Sequence, residues 1–200
     1  TDEFNRWEAG QQLMIRISLE QIQRFQNNEP FNLSSELENA FRSLLKQTAE
    51  GDSALLALAL SFPNEPYLGE LMDVIDVEAI HETRKFLRTE LAQKLQPEFE
   101  NTYLNFQKEG PFKIDQQSMG RRSLKNVCLG YLTELESLEF RKLAQTQFHK
   151  NENMTDVAGA LGVLTHLDCT ERETAFSAFE NRWRKNTVVM DKWFALQAIS

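Results

Sequence analysis

The chain has 200 residues and a net charge of −8, and 41% of its residues are hydrophobic. This length can bury a sizeable core, while the acidic balance disfavours a nucleic-acid backbone or an anionic membrane surface as a partner. No apolar run is long enough to cross a membrane, and the N-terminal stretch TDEFNRWEAG is too polar for a signal peptide. The two cysteines are too few for a disulfide framework. We therefore expect a cytoplasmic protein.

Apolar residues recur at helical spacing along most of the chain, and the 8 glycines and 5 prolines are few enough to favour helices over strands. The apolar stripes, in chain order, are Leu37, Phe41 and Leu44; Ile80, Leu87, Leu91 and Leu95; Phe99, Tyr103 and Phe106; Leu124, Val127, Cys128, Tyr131 and Leu135; Val157, Leu161 and Leu164; Phe176, Phe179 and Trp183; and Val189, Trp193 and Leu196. Residues 53–62, SALLALALSF, are apolar on all sides, which predicts a helix buried by neighbours all round.

Turn-forming residues separate these stripes and predict where helices begin and end. Ser35 with Glu38, and Thr170 with Glu173, have the three-residue spacing of a capping box at the start of a periodic run. The predicted breaks are residues 27–32, 50–51, 62–66, 108–112 and 149–153.

We therefore predict an all-α fold of about ten helices in antiparallel hairpins, in an α-solenoid or superhelical arrangement. No flexible linker divides the sequence, so residues 1–200 are predicted to form a single helical domain. The last apolar run, VVMDKWFALQAIS, reaches the end of the chain with no polar tail. We expect this piece to be a truncated part of a larger helical domain.

The stretch IHETRK, residues 80–85, contains the first half of the zinc-peptidase signature H-E-x-x-H. His81 and Glu82 match the signature, but Lys85 replaces the second histidine. A lysine ammonium has no lone pair to donate to a metal ion, so we interpret this stretch as a charged helix face rather than a zinc site.

Two further clusters contain residue types that could form a site. His166, Asp168 and Cys169 lie close together, but a zinc site needs more convergent ligands than this segment supplies, and we interpret the segment as a helix end. The basic group GRRSLK, residues 120–125, could meet an acidic partner, although a solvated helix face is the preferred interpretation. The sequence alone thus indicates a helical domain without a visible active site.

Four stretches together resemble a known family. Residues 2–13 (DEFNRWEAGQQL), 121–132 (RRSLKNVCLGYL), 151–161 (NENMTDVAGAL) and 188–198 (VVMDKWFALQA) are similar to the C-terminal region of bacterial aminopeptidase N. This family comprises zinc-dependent alanyl aminopeptidases of the gluzincin class. The resemblance spans nearly the whole chain, and the FNRWEA and MDKWF segments are its most specific parts.

The resemblance implies a parent enzyme that removes N-terminal residues from peptides, with zinc bound by an upstream catalytic domain of the same polypeptide. It implies that this chain caps the active-site chamber and restricts access, and that it carries no catalytic or metal-binding residue and binds no cofactor itself. Which residues bind peptide substrates stays unassigned. The alternative is a free-standing α-helical repeat module that binds a peptide or protein partner.

Overall fold

A computed structural model describes residues 3–48, 51–107, 112–150 and 153–198 of the chain. Eleven helices and no strand occur in these ranges, so the all-α prediction is confirmed. The helices are α1 (Glu3–Gln26), α2 (Ser35–Lys46), α3 (Ser53–Ala59), α4 (Glu65–Glu70), α5 (Val77–Lys94), α6 (Gln96–Gln107), α7 (Gln116–Thr133), α8 (Leu138–Lys150), α9 (Met154–Thr165), α10 (Thr170–Trp183) and α11 (Thr187–Ala198). Helix α4 begins inside the predicted break at 62–66, and parts of three other predicted breaks lie outside the described residues.

Polar side chains define where several helices begin, because each accepts a backbone N–H bond that the first turn leaves unpaired. The residues that cap helices in this way are Ser34, Asp52, Asn64, Asp76, Asp115, Ser137, Asn153 and Asn186. Both predicted capping boxes are wrong. Ser34 rather than Ser35 accepts the bond from Glu36 N, at 3.2 Å, because Ser34 has the extended backbone and Ser35 is already helical. Thr170 is likewise inside α10, and the preceding Cys169 makes no capping bond with its side chain.

The main hydrophobic core surrounds α7, which packs against α3, α6 and α9. Tyr131 of α7 stacks on Phe99 of α6 with 4.5 Å between the ring centroids. Its hydroxyl also donates a 2.7 Å hydrogen bond to the carbonyl oxygen of Leu60, at the end of α3. This bond satisfies two polar groups inside the core and fixes the end of α3 against α7.

Most of the predicted apolar stripes face the core, but two regions differ from the expectation. Helix α3 is not buried all round, because α1, α2 and α7 cover only part of its surface and Leu58 is 57% exposed. Helix α11 packs mainly against α10 and α9, and Met190 is the one residue of this helix that is buried.

A smaller apolar cluster joins α1, α4 and α5 through Ile22, Leu68, Ala79 and Ile80. Further along the chain, α6 packs with α7, α8 with α9 and α10 with α11, so consecutive helices form pairs. This arrangement leaves α5 facing the ends of α7 and α9 across an open space. None of the described helices has the length and apolar character needed to span a bilayer.

Candidate ligand-binding cleft

One face of α5 is basic. His81, Arg84, Lys85 and Arg88 follow the i, i+3, i+4, i+7 spacing that places side chains on the same side of a helix. All four line one cleft, whose volume is about 690 Å³. A cleft of this size lies within the range of sites for small molecules and short peptides.

The two arginines are held in place by hydrogen bonds to neighbouring segments. Arg84 donates from Nε to the carbonyl oxygen of Pro63 at 2.9 Å and from Nη1 to Glu65 Oε1 at 3.3 Å. Arg88 donates from Nε to Glu134 Oε1 at 2.6 Å and from Nη2 to the carbonyl oxygen of Gly130 at 3.2 Å. These bonds fix both guanidinium groups before any ligand arrives.

Burial and charge affect the two arginines differently. Burial lowers the pKa of Arg84, and the like charge of Arg88 lowers it further. Burial acts in the same direction on Arg88, but Tyr131 and the carboxylate of Glu134 raise the pKa of Arg88 above its usual value.

The opposite wall of the cleft is built where α7 and α9 end. It contains Thr133, Glu134 and Glu136 from the end of α7 and the turn after it. Glu136 has a left-handed backbone with φ of 49°, so the chain turns sharply at this residue. The last turn of α9 and the following residues, including Thr165, His166 and Asp168, complete the wall. Carboxylates and the carbonyl ends of two helices therefore make this side predominantly negative.

Four charged groups in the cleft have no ion-pair partner among the described residues. They are Lys85 and Asp168, which are exposed, Glu136 on the turn after α7, and the half-buried Arg172 of α10. Arg172 instead lies over the ring of Phe176 at 6.0 Å. These four groups line the same cavity as the Arg84–Glu65 and Arg88–Glu134 ion pairs.

The two histidine motifs of the sequence meet in this cleft. His81 is exposed and its Nδ1 lies 3.3 Å from Glu65 Oε1, while His166 is on the facing wall. Glu82 is half-buried on α5, and Cys169 packs against the core rather than lining the cleft. Within the described ranges, no three His, Cys, Asp or Glu side chains are placed to hold a metal ion together.

The interpretation of GRRSLK as a solvated face is wrong at two positions. Arg122 is buried, with its guanidinium 4.9 Å from the centroid of the Phe112 ring. Lys125 is buried as well and donates from Nζ to Asp156 Oδ2 at 2.6 Å. Only Arg121 and Ser123 of this group are exposed. The segment therefore packs α7 into the core instead of presenting a basic surface.

The Lys125–Asp156 pair belongs to a buried polar cluster that joins α6, α7, α8 and α9. Gln147 donates from Nε2 to the backbone carbonyl of Asp156 at 2.9 Å and accepts at Oε1 from the Tyr103 hydroxyl at 3.0 Å. Asn153 donates from Nδ2 to Asp156 Oδ2 at 2.9 Å. Burial, with the nearby Asp156 charge, raises the pKa of Tyr103 to about 12.

Consecutive helical pairs around a shared core define this chain as an all-α helical-repeat protein. The model of a family described as a domain of unknown function (DUF3458_C) with ARM repeats matches residues 1–200. The chain belongs to this family.

The resemblance to the C-terminal region of aminopeptidase N is also confirmed. The chain is 34% identical over 200 residues to aminopeptidase N of Escherichia coli (strain K12), covering 100% of this chain and 23% of that protein. It is 33% identical over 199 residues to aminopeptidase N of Haemophilus influenzae, covering 98% of this chain and 22% of the relative. The crystal structure of Legionella pneumophila aminopeptidase A in complex with aspartic acid matches with a TM-score of 0.85 and 27% identity, over 100% of this chain and 24% of that one. The chain thus spans about a quarter of the length of these relatives.

The sequence contained a signal for the cleft that a search for catalytic motifs does not use. The spacing of the basic residues on α5 predicts a common face, whereas the positions of Glu65 and Glu134 opposite that face depend on the tertiary fold. Only the three-dimensional placement of α5 beside α7, with the end of α9 on the far side of the cavity, identifies the cleft.

Proposed function

We propose that this chain is the helical domain of a zinc-dependent aminopeptidase that removes N-terminal residues from peptides, and that it caps the active-site chamber and restricts access to it. The observation that carries the proposal is the match to the C-terminal part of aminopeptidase N over 98–100% of this chain. The parent polypeptide would be a cytoplasmic hydrolase.

The proposal assigns no catalytic residue to this chain. The described residues do not fit a zinc site, because no three of their possible ligands converge. The match to the C-terminal part of aminopeptidase N supports assigning zinc and the groups that act on the peptide bond to an upstream catalytic domain of the same polypeptide. The contribution of this chain is steric and electrostatic: it would form a wall that admits short peptides and excludes folded proteins.

The geometry of the helices supports a wall of fixed shape. Tyr131 ties α7 to the end of α3, and the buried cluster around Asp156 ties α6, α7, α8 and α9 together. A wall built this way keeps its shape when substrate arrives, which suits a domain that excludes proteins by size.

The proposal is tested by comparing the full-length protein with the 200-residue chain. We expect the full-length protein to carry one zinc ion and to hydrolyse alanyl substrates, and the chain alone to bind no zinc and to be inactive. Mass spectrometry measures the zinc content of each protein, and hydrolysis of a chromogenic alanyl substrate measures its activity. Stoichiometric zinc on the chain alone would contradict the proposal.

The alternative function is a free-standing module that binds a peptide or protein. A native polypeptide of about this length, metal-free and inactive, would favour this alternative. The ARM-repeat family and the open cleft are also compatible with it.

The steric role has its own test in the full-length protein. Replacing Val163, which lines the cleft, with Trp should lower kcat/KM for peptides of eight or more residues while leaving kcat/KM for a single-residue chromogenic substrate unchanged. Val188→Trp on the outer side of α11, where Val188 is 72% exposed, is the control. Equal kinetics for Val163→Trp and wild type on both substrates would mean that this cleft does not face the path of the peptide.

A further inference from the structure

The net negative charge of the chain comes from one stretch of sequence. Residues 47–83 carry eight of the 30 Asp and Glu side chains and none of the 22 Lys and Arg side chains. The rest of the chain therefore carries as many cations as carboxylates, and the net charge of −8 belongs to this stretch alone. Charge concentrated in this way gives one part of the surface a negative potential of its own.

The same stretch contains a group of exposed apolar side chains. Thirteen large apolar side chains are exposed in the described ranges, and five of them lie within residues 67–78, from the middle of α4 to the first turn of α5. They are Tyr67, Leu71, Val74, Ile75 and Val77. Four carboxylates are interspersed with them, those of Glu70, Asp73, Asp76 and Glu78. We name residues 67–78 the acidic edge.

The acidic edge is held in place by contacts with its surroundings. Leu68 is fully buried in the small apolar cluster that joins α1, α4 and α5. The Ile75 side chain lies over Gly69, where an added Cβ atom would be 3.4 Å from Ile75 Cγ2. Asp76 caps α5 and also accepts a 3.1 Å hydrogen bond from Gln26 Nε2 of α1. A surface that is fixed before its partner arrives loses little conformational entropy on binding.

Three carboxylates of the acidic edge are available to pair with a cation. Glu70, Asp73 and Glu78 form no ion pair and no side-chain hydrogen bond with any described residue. Apolar contacts exclude water from an interface, and complementary charges around them select the partner. The acidic edge therefore fits a partner surface that is both apolar and basic.

We propose that the acidic edge packs against a surface of apolar and basic side chains in a part of the same polypeptide that lies outside these 200 residues. The aminopeptidase N relatives have enough further chain to supply such a surface, since this chain covers only 22–23% of their length. The inference rests on the proposed function for the presence of further domains.

A second copy of the chain is a less suitable occupant. Two acidic edges would repel each other, which disfavours a symmetric dimer through this surface. The basic turn after α10, with Arg182, Arg184 and Lys185, could contact the acidic edge of another molecule. That contact would be head-to-tail and would lead to rings or open filaments.

The experiment measures how accessible position 74 is in the full-length protein. A neutral maleimide reacts with the thiol of Val74→Cys, and peptide mass spectrometry separates this site from the other cysteines. Val74 is 78% exposed in this chain, so an uncovered edge predicts a rate close to that of the same thiol in concentrated urea. We expect the rate in the folded full-length protein to be at least about tenfold slower, because the thiol reacts only when the interface opens.

Charge reversal tests the chemistry of the partner surface. Glu70→Lys with Asp73→Lys, added to Val74→Cys, should bring the rate to within about threefold of the urea rate, because like charges then face each other. Glu139→Lys with Glu180→Lys, at exposed positions of α8 and α10, changes the net charge equally and should leave the rate unchanged. Thermal unfolding verifies that the variants are folded. Added salt should also raise the rate in Val74→Cys alone, which requires no further substitution.

Three results would overturn the inference. The first is a rate in the folded full-length protein that equals the rate in urea. The second is a slow rate that neither charge reversal nor salt changes, since the covering surface would then not be basic. The third is protection that disappears on dilution, which would assign the acidic edge to contacts between molecules. Hydrolysis of an alanyl substrate is measured on the wild-type protein in parallel. An active enzyme with a fully reactive thiol at position 74 contradicts only this inference, whereas a protein without that activity contradicts the proposed function.

Discussion

Lys125 and Asp156 form an ion pair inside the protein, with side chains only 7% and 8% exposed. Removing one partner of such a pair leaves an uncompensated charge in the core. We expect Lys125→Met to lower the free energy of unfolding by about 3–5 kcal/mol. Urea unfolding at neutral pH measures the loss.

The surface pair Arg16–Glu36 is the comparison for this variant. Its side chains are 58% and 62% exposed, and its N–O distance of 2.8 Å is similar to that of the buried pair. Because solvent screens it, Arg16→Gln should cost less than about 1 kcal/mol. If Lys125→Met and Arg16→Gln lowered the free energy of unfolding equally, burial of the Asp156 carboxylate without a cationic partner would cost little.

Tyr103 makes stability depend on pH in the alkaline range. Its pKa is raised from 10.0 to about 12 because the phenolate would be buried near Asp156. The unfolded chain therefore loses this proton first. The contribution of Tyr103 is complete below pH 10 and is lost as pH rises through about 12, by up to roughly 2–3 kcal/mol.

We expect Tyr103→Phe to remove this pH dependence. At neutral pH the variant should lose about 1 kcal/mol, because Gln147 Oε1 loses its donor. The free energies of wild type and variant should therefore cross between pH 10 and pH 12 in denaturant titrations, with the variant more stable above the crossing. Parallel curves over that interval would mean that the Tyr103 phenolate is not penalised in the folded protein.

The approach of α3 to α7 depends on a glycine. A Cβ atom at position 120 would lie 2.8 Å from the backbone nitrogen of Ala54, which cannot move without moving α3. Gly120→Ala should therefore destabilise the protein by about 1–3 kcal/mol, even though alanine favours helices by about 1 kcal/mol. Thermal or urea unfolding measures the change.

Gly10 in α1 provides the matched control. A Cβ atom there would meet nothing within 4 Å, so Gly10→Ala should stabilise the protein by up to about 1 kcal/mol. If Gly120→Ala were also stabilising, the close contact between α3 and α7 would have to be looser than the structure indicates.

Helix α10 lacks the side-chain cap that several other helices have. Cys169 has the extended backbone of a capping residue, with φ of −154° and ψ of 157°, but its thiol makes no bond to the first turn. Cys169→Ser supplies an oxygen acceptor at this position and should raise the free energy of unfolding by about 0.5–1 kcal/mol.

Helix α2 allows the opposite test, in which an existing side-chain cap is removed. Ser34→Ala removes an existing cap and should lower the free energy of unfolding by about 1 kcal/mol. Both changes are measured by urea unfolding. A loss of stability in Cys169→Ser would mean that packing of the thiol against the core matters more than the missing cap.

At the scale of the whole molecule, several exposed apolar side chains lie close together in sequence around the segment that joins α4 to α5. Leu71, Val74, Ile75 and Val77 are 45%, 78%, 62% and 69% exposed. An apolar edge of this kind is typical of surfaces that contact other protein. The double variant Val74→Ser, Val77→Ser of the 200-residue chain should bind less of a hydrophobic dye, whereas Val188→Ser, at 72% exposed, should change dye fluorescence little. Equal dye fluorescence in all three chains would mean that this edge is not the dye-binding surface.

Periodicity predicted the helices well because the core positions are local to each helix. Leu87, Leu91 and Leu95 are all buried, as their spacing indicates. The burial of charged residues and the position of the cleft could not be predicted, because both depend on contacts between residues that are distant in the sequence. Lys125 looked like a surface residue because its carboxylate partner is 31 positions away, and the cleft was not visible because α5 meets its opposite wall only in three dimensions.

The position of α3 has a consequence for synthesis of the chain on the ribosome. This short apolar helix, Ser53–Ala59, depends for its burial on α7, which spans Gln116–Thr133. At elongation rates of about 5–20 residues per second, the leucines of α3 emerge on the order of ten seconds before α7 is complete. During that interval the leucines of α3 lack the helix against which they pack. We therefore expect a chaperone to bind the nascent chain at this segment.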